Sequence, residues 1–298
     1  GIKDESLLEE AAKSFGIDPK SEMYKLPAKY VGAYAEQDAA LTLKLWGRLK
    51  ELLKLEDVEK IYDLETALIP ILLDMRWKGV AVDLDKADLT SRQLKNEEIK
   101  ILHSIKKDYG CDVELWAAAS VATAFDRAGL SYPRTLKTQA PSFTGDWLEN
   151  HDHPLARNIA RARQLNKART TFIDNMILDH NVNGRIHGDL HPLRSDRGGT
   201  VTGRFSSSNP NLQQVPARHD EIGPMIRGIF IPDEGMHWGA FDYSQQEPRL
   251  TVHYAQKTEQ EGAEDAVDAY RNKDADFHQV VADMANISRK EAKIINLG

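Results

Sequence analysis

The sequence predicts a mixed α/β protein that is mainly helical. Apolar residues recur at helical spacing from Tyr30 to Leu53 and from Val58 to Lys78, and residues 84–108 form a long charged pattern typical of a helix. Met236 to Ser244, in contrast, is predicted to be a strand. The chain has 298 residues, of which 41% are hydrophobic, so it is long enough for about two domains with packed cores.

Shorter signals divide the chain further. Pro70 predicts a kink in the second helix, and Gly79 predicts its C-cap. An extended segment then follows at 80–83. The remaining expectations are loops at 131–144 and 194–216, a basic helix at 154–179, and helices at 276–286 and 288–298.

Composition excludes some classes of protein. Cys111 is the only cysteine, so an intrachain disulfide is impossible and a reducing, cytoplasmic location is expected. The longest apolar run, Ala67 to Leu73, is far shorter than the ~20 residues that span a bilayer. No basic-then-apolar leader opens the sequence, so neither export nor a membrane partner is expected.

The charge distribution leaves two interpretations open. The net charge of −7 argues weakly against a nucleic-acid partner. The stretch from Arg157 to Arg227, however, contains eleven basic and six acidic residues, which gives it a local net charge of +5. Such a stretch is typical either of an anion-binding surface or of a solvated helix face.

Asp242 is the strongest candidate for a metal ligand. It ends the apolar segment Met236–Phe241, where a carboxylate held on rigid backbone suits a hard divalent cation. The alternative is a structural aspartate that caps the following helix.

The C-terminal segment offers candidate phosphate ligands. Ser288 and Glu291 form the Ser-x-x-Glu capping box that opens a helix. Arg289, Lys293 and Leu297 then fall at i, i+4 and i+8 on one face. Two cations one turn apart near a helix N-terminus suit a triphosphate, although a solvated basic face has the same spacing.

Two weaker patterns lie upstream. The stretch from Thr202 to Pro216 is a loop of small residues that allows close approach of a partner, or an ordinary surface loop. Tyr34 and Asp38 stand at i and i+4, on the same side of the first predicted helix.

As a string, residues 241–249 resemble motif A of the family A DNA polymerases, the family of bacterial DNA polymerase I. The resemblance implies that Asp242 and the backbone carbonyl of Tyr243 bind Mg²⁺. It also places Gln245 in the deoxynucleoside triphosphate site and implies that Glu247 excludes a 2′-hydroxyl. Two residues differ from the usual Ile and Leu, and this variant resembles bacteriophage polymerases: Gln246 and Pro248.

The C-terminal helix resembles motif B of the same family. There Arg289 and Lys293 would bind the incoming phosphates, and Lys293 would also be catalytic by neutralising the leaving pyrophosphate. Leu297 stands where an aromatic ring usually packs on the sugar. The string Asp276-Phe277-His278 resembles the family's Asp-Ile-His, in which His278 would contact the phosphates.

The two upstream patterns also have counterparts in the family. The stretch 202–216 resembles its Thr-Gly-Arg-Leu-Ser-Ser string, which implies that Arg204, Asn211 and Gln213 contact primer–template DNA with little sequence readout. Tyr34 and Asp38 resemble the third motif of proofreading 3′–5′ exonucleases.

The resemblance implies a fold and a reaction. The fold would comprise the end of a ribonuclease H-like exonuclease domain at 1–56, a thumb and its approach at 57–184, and a partial palm and fingers of a right-hand polymerase at 185–298. The reaction would be deoxynucleotidyl transfer by two Mg²⁺ ions. The last catalytic motif of the family, a His-Asp-Glu after motif B, is missing. The string at 219–221 has those letters but precedes motif A, so we expect it not to be catalytic.

Two other functions stay open. The chain could be a DNA-binding module without catalysis, or the remnant of a proofreading exonuclease. The expected partners of the polymerase interpretation are primer–template DNA, deoxynucleoside triphosphates and a separate C-terminal polymerase piece.

Overall fold

The computed structural model describes residues 5–194, 199–217, 219–273 and 275–297. The chain divides between Asp233 and Glu234 into two compact units. The described part is mainly helical, with short antiparallel strands, as the sequence predicts. No helix in that part combines the length and apolarity needed to cross a membrane.

The first unit begins with three helices, α1 (Ser6–Phe15), α2 (Ala28–Leu55) and α3 (Glu59–Lys78). A short 3₁₀ turn, Met23–Lys25, lies between α1 and α2. One face of α1 is buried against the start of α2, because its apolar residues stand at helical spacing. Gly79 ends α3 at φ +64° and donates its N–H to the Met75 carbonyl, as the sequence predicts.

The centre of this unit is built on α4 (Leu84–Tyr109) and α7 (Pro154–Lys167). Asp83 caps α4 by accepting a hydrogen bond from the Lys86 N–H at 2.9 Å. Beyond α7 the chain continues as a π-helical segment, Ala168–Asp179, so the predicted basic helix at 154–179 is confirmed. Both stretches pack along α4 around fully buried side chains, which include Leu94, Leu155, Ile159, Ile173 and Ile177.

An aromatic cluster organises the segment between α4 and α7. Helices α5 (Ala118–Arg127) and α6 (Gly145–Glu149) enclose Phe125, which is fully buried. The Phe125 ring centroid lies 4.9 Å from that of Phe143 and 5.6 Å from that of Trp147. These separations are favourable for aromatic pairs.

Two small antiparallel sheets complete the first unit. Strands β1 (Val80–Ala81), β2 (Asn181–Val182) and β3 (Arg185–Ile186) pair in the order β1-β3-β2, with Val80 opposite Ile186. Strand β4 (Asp189–His191) pairs with β5 (Ser206–Ser208), with Leu190 opposite Ser207. The helix α8 (Ile222–Arg227) follows and buries Ile226 in the core.

The second unit consists of α9 (Gln246–Lys257), α10 (Ala263–Lys273), α11 (Phe277–Ala285) and α12 (Arg289–Leu297). The two C-terminal helices were predicted and are confirmed. The strand predicted at 236–244 is wrong, because a strand requires a hydrogen-bonded neighbour and this segment has none among the described residues.

The boundary between the units falls inside the range 185–298 that we assign to palm and fingers. Compactness and functional subdivision are different properties of a chain. The division into 1–56, 57–184 and 185–298 therefore stays a prediction.

Candidate active site

Asp242 lies in an irregular exposed segment that leads into α9. Tyr243, next to it, is 81% exposed. Both residues are therefore open to a ligand from solvent. Helix α9 follows with Gln245 and not Asp242 at its N-cap, and the rigid strand expected beneath Asp242 is absent from the described residues.

The oxygen donors here suit Mg²⁺ but do not complete a metal site. A carboxylate and a backbone carbonyl are the ligand types that this hard cation prefers. Within the described residues, however, no three His, Cys, Asp or Glu side chains gather in a group that could hold a metal ion. A metal site at Asp242 would therefore need further carboxylates, and the role of Asp242 as a metal ligand stays a prediction.

Gln245 joins the Asp242 segment to the start of α11. Its backbone adopts φ +52° where α9 begins. Its side-chain amide donates to the Ala275 carbonyl at 3.1 Å, and its amide oxygen accepts from the Tyr270 hydroxyl and the Phe277 N–H, each at 3.3 Å. All three hydrogen bonds lie within the second unit. Through them, Gln245 holds the turn after Asp242 against the start of α11, where Asp276, Phe277 and His278 lie.

Replacing Gln245 by alanine is expected to loosen this connection. The carbonyl and N–H that it satisfies would lose their partner, which costs about 1–3 kcal/mol. The measurement is hydrogen exchange over residues 270–280, which should become faster. Gln246→Ala is the matched control, since Gln246 is the exposed neighbour and its change should stay within about 0.5 kcal/mol. Equal exchange in both variants would show that Gln245 does not hold the segment.

Glu247 and Arg249 lie in the first turn of α9. The carboxylate of Glu247 is exposed near the helix N-terminus, where the dipole favours a negative charge. The Arg249 Nε donates to the Ser244 carbonyl at 2.9 Å, and its guanidinium lies 4.6 Å from the centroid of the Tyr270 ring. Tyr270 therefore contacts this turn twice, through Arg249 and through Gln245.

Asp276 has two roles at the start of α11. Its Oδ1 caps the helix by accepting from the N–H groups of His278 and Gln279, at 3.0 and 3.2 Å. Its Oδ2 accepts from the Nε of Arg289 at 2.7 Å. Burial alone would raise the pKa of Asp276, but the hydrogen bonds from Arg289 and the backbone N–H groups outweigh it and lower the pKa below its usual range. The carboxylate is therefore charged at neutral pH.

The predicted capping box of α12 is confirmed. The Ser288 hydroxyl accepts from the Glu291 N–H at 3.2 Å, while the Glu291 carboxylate accepts from the Ser288 N–H at 2.8 Å. Arg289 is half-exposed and Lys293, one turn later, is exposed. Both cations can therefore reach an anion. The side chain of Leu297 lies outside the part of the chain that the structure describes.

His278 has a different environment from the two cations. Its side chain is only 3% exposed, although the resemblance implies a contact with phosphate. A ligand arriving from solvent could meet Arg289 and Lys293 without touching this imidazole. The direct phosphate contact of His278 stays a prediction.

The predicted primer–template loop lies in the first unit. Arg204 is exposed, and the Asn211 side chain accepts from the Gln213 N–H at 3.1 Å to start a short 3₁₀ turn, Leu212–Gln214. The Gln213 amide in turn donates to the Phe205 carbonyl at 3.1 Å. Asn211 and Gln213 thus shape the loop, and the contacts of Arg204, Asn211 and Gln213 with primer–template DNA stay a prediction.

Tyr34 and Asp38 both lie on α2 and are partly buried. Tyr34 packs against the α1–α2 core and lines a cavity of about 370 Å³ together with Leu7 and Tyr30. The described residues bring no further acidic cluster to Asp38. Their roles in an exonuclease stay a prediction.

The string at 219–221 has structural contacts. His219 Nδ1 accepts from the N–H groups of Glu221 and Ile222, at 3.3 and 3.2 Å, at the start of α8. Glu221 accepts two hydrogen bonds from the Arg161 guanidinium, at 2.7 and 2.6 Å, and these hydrogen bonds lower the pKa of Glu221. The structural contacts of His219 and Glu221 therefore account for two of the three residues without a catalytic role.

Residues 85–298 match the sequence model of DNA polymerase family A. The chain belongs to DNA polymerase family A. The DNA-directed DNA polymerase of Pseudomonas phage M6 is 41% identical to it over 314 residues, which cover 99% of this chain and 47% of the phage protein. DNA polymerase I of Pseudomonas aeruginosa is 29% identical over 315 residues, which cover 100% of this chain and 32% of that protein. The predicted relation to phage polymerases is therefore confirmed.

Structural comparison agrees with the family A assignment. The POL domain of Pol1 from M. smegmatis, solved in complex with DNA primer-template and dNTP, matches with a TM-score of 0.65 at 23% identity. The match covers 100% of this chain and 51% of that one. This family A chain thus shares the polymerase fold over its whole length and spans about half the length of the phage relative and of the solved domain.

The basic stretch of this family A chain contributes less free charge than its sequence suggests. Arg161 pairs with Glu221, Arg169 with Asp174 at 2.6 Å, and Arg185 with Asp233 at 2.7 Å. Other cations of the stretch are exposed and include Lys167, Arg194, Arg204 and Arg227. Some cations of the stretch therefore support the fold, and anion binding by the exposed ones stays a prediction.

Two residues of the site were missed by sequence reasoning. Tyr270 carries no motif, and Asp276 was noted only as a neighbour of His278. The Asp276–Arg289 pair spans thirteen residues, and no local periodicity relates the two positions. The sequence carried a signal only for the N-cap role of Asp276, because an Asp before an apolar helical run is a common N-cap.

Proposed function

We propose that this chain is part of a template-directed DNA polymerase that transfers deoxynucleotides to a primer. One observation carries the proposal. Within the second unit, the hydrogen bonds of Gln245 and Asp276 connect the turn bearing Asp242 to the helix bearing Arg289 and Lys293. Candidate metal ligand and candidate phosphate ligands thus belong to one structural assembly, and membership of DNA polymerase family A supports the same function.

The reaction would use Mg²⁺ held in part by Asp242 and the carbonyl of Tyr243. A bound pair of such ions would lower the free energy needed to form the nucleophile. It would also stabilise the negative charge that develops on the phosphates. Arg289 and Lys293 would orient the triphosphate and neutralise the leaving pyrophosphate. Among the described residues the donor set is incomplete, so further carboxylates would come from the polymerase residues that follow motif B in the family.

The division of labour along the chain is part of the same proposal. Residues 185–298 would form part of the palm and fingers, 57–184 the thumb and its approach, and 1–56 the end of an exonuclease domain. Arg204, Asn211 and Gln213 would contact the primer–template, mostly at its backbone and minor groove. A separate C-terminal polymerase piece would complete the active site.

A DNA-binding module without catalysis is the second candidate. It is favoured by the lack of a three-residue metal cluster among the described residues. The two candidates differ in one measurable property, namely whether extension appears when the missing carboxylates are supplied.

The chain alone is expected to bind primer–template DNA weakly and not to extend it. Exposed cations such as Arg194, Arg204 and Arg227 would release counterions on binding, so the affinity should fall steeply as salt rises. Fluorescence anisotropy of a labelled primer–template, from low to moderate salt, measures binding, and gel analysis of the primer measures extension. Templated, Mg²⁺-dependent extension by the chain alone, abolished by Asp220→Asn, would falsify this assignment and make the 219–221 string catalytic.

Glu247 is expected to act as the sugar gate of the completed enzyme. An acid beside the deoxyribose leaves no room for a 2′-hydroxyl, so Glu247→Ala should reduce discrimination against ribonucleotides by about tenfold or more. Competing incorporation of dNTP and rNTP measures the ratio, with Gln246→Ala as the neighbouring control. If both variants discriminate like the wild type, the sugar contact lies elsewhere.

A further inference from the structure

Tyr270 connects two helices of the second unit. It lies on α10, where Ala263, Val267 and Tyr270 stand at i, i+4 and i+7 and are each at most 8% exposed. These residues form the buried face of α10, and α10 packs against α9. The ring of Tyr270 is therefore held by helix packing, with its hydroxyl at the start of α9.

The Tyr270 hydroxyl holds Gln245, whose backbone is strained. Gln245 adopts φ +52°, a left-handed conformation that is uncommon for residues other than glycine. Such a conformation persists where surrounding contacts enforce it. Here the amide oxygen of Gln245 accepts from the Tyr270 hydroxyl at 3.3 Å. Burial raises the pKa of this hydroxyl by more than the nearby Arg249 cation lowers it, so the hydroxyl keeps its proton and remains a donor at neutral pH.

The ring of Tyr270 holds Arg249. The guanidinium lies 4.6 Å from the ring centroid, within the range of a cation–π attraction. Arg249 is also tied to the two residues before α9, because its Nε donates to the Ser244 carbonyl at 2.9 Å and its backbone N–H donates to the Gln245 carbonyl at 3.0 Å. One aromatic side chain therefore contacts both sides of the first turn of α9, with its hydroxyl at Gln245 and its ring at Arg249.

Further contacts join Tyr270 to the start of α11. The Phe277 ring centroid lies 4.7 Å from that of Tyr270, and the Phe277 N–H shares the amide oxygen of Gln245 with the Tyr270 hydroxyl. Ala275 accepts from the Gln245 amide through its carbonyl and donates its N–H to the carbonyl of Ala269, the residue before Tyr270, at 3.3 Å. Tyr270 therefore lies where α9, α10 and α11 meet.

Glu247 lies within the turn that these contacts hold. It is the second residue of α9, two positions after Gln245 and two positions before Arg249. Because Tyr270 contacts both of those residues, the position of the Glu247 backbone follows from theirs. The placement of such a group matters, since a shift of about 1 Å can change a rate by about 10²-fold.

We infer that Tyr270 is a positioning residue that sets sugar specificity through Glu247. The inference rests on the proposed function, in which Glu247 excludes a 2′-hydroxyl. Tyr270 is buried and its hydroxyl is used by Gln245, so it acts through the turn and not on the nucleotide. Its hydroxyl and its ring contribute separately, the first at Gln245 and the second at Arg249.

The experiment measures competing incorporation of dNTP and rNTP by the completed enzyme, that is, this chain with the C-terminal polymerase piece of the proposed function. Tyr270→Leu should lower the discrimination ratio at least about fivefold, because the hydroxyl and the flat ring are both lost. Tyr270→Phe keeps the ring beside Arg249 and should lower the ratio only about twofold. Val267→Ala is the matched control, since Val267 is equally buried on the same face of α10 but has no polar group, and the ratio should stay at the wild-type value.

A double variant tests whether Tyr270 acts through Glu247. Glu247→Ala combined with Tyr270→Leu should discriminate like Glu247→Ala alone, because no carboxylate remains for the turn to position. Losses that multiply in the double variant would overturn the inference. A wild-type ratio in Tyr270→Leu, or an equal fall of the ratio in Val267→Ala, would overturn it as well.

Hydrogen exchange in the chain alone separates this inference from the proposed function. The amides of residues 249–252 should exchange about tenfold faster in Tyr270→Leu than in Val267→Ala. Equal exchange in the two variants would overturn the positioning role of Tyr270, whatever the completed enzyme does. Faster exchange in Tyr270→Leu without any primer extension by the completed enzyme would overturn the proposed function, and the role of Glu247 with it, while supporting the hold of Tyr270 on the first turn of α9.

Discussion

Replacing Asp242 by asparagine is expected to lower primer extension by about 10³-fold in the reconstituted polymerase, that is, this chain combined with the C-terminal half of the phage M6 polymerase. Asparagine keeps the size of the side chain but removes the charge that a divalent cation requires. Because Asp242 is exposed and contributes no core contact, the substitution should not unfold the second unit. The measurement is the single-turnover rate of incorporation at saturating dNTP.

Asp220→Asn is the matched control for Asp242→Asn, since it removes an exposed aspartate that also precedes a helix. Its rate should stay within about twofold of the wild type. Primer–template affinity, measured by anisotropy, should be unchanged in both variants. A normal rate for Asp242→Asn, or a comparable loss for Asp220→Asn, would show that the metal ligand has been misplaced.

Replacing Arg289 by alanine is expected to lower kcat/KM for the incoming dNTP by about 10²-fold in the same reconstituted polymerase. The guanidinium would lose its contacts with the phosphates, and these are strongest in the transition state, where negative charge moves onto the leaving pyrophosphate. Steady-state kinetics over a range of dNTP concentrations separates the loss in kcat from the rise in KM.

Lys290→Ala provides the control for Arg289→Ala, because Lys290 is the next residue on α12, is exposed and points to a different side of the helix. We expect at most about a twofold effect from it. The capping box of Ser288 and Glu291 remains in both variants, so helix formation is preserved. Equal losses in the two variants would indicate a general effect of positive charge and not a defined phosphate contact.

Local patterns predicted the helices well, and they did so for a physical reason. The apolar spacing from Tyr30 to Leu53 predicts α2, and the capping box at Ser288 predicts the start of α12, because both depend on neighbours within a few residues. The strand predicted at 236–244 was wrong, since a strand depends on a distant partner that local sequence does not specify.

The sequence predicted which residues belong to the candidate site, but it did not predict the contacts between them. The strings at 241–249 and 289–298 identified the family, which residues 85–298 confirm. That Asp276 pairs with Arg289, or that Gln245 reaches Ala275, depends on how four helices pack, and no spacing rule connects these positions. The basic stretch shows the same limit, because counting charges did not reveal that Arg161 and Glu221 neutralise each other.

The two carboxylate oxygens of Asp276 connect the start of α11 to α12. One oxygen of this carboxylate holds the first amides of α11 and the other holds Arg289, while the next residue, Phe277, is fastened to Gln245. A triphosphate bound at Arg289 would therefore be linked through Asp276 and Phe277 to Gln245, in the turn after Asp242. By thermodynamic reciprocity, any change in affinity that occupancy of one end causes at the other is matched by an equal factor in the reverse direction. In such a linkage, nucleotide and metal would each report the presence of the other before any bond is made or broken.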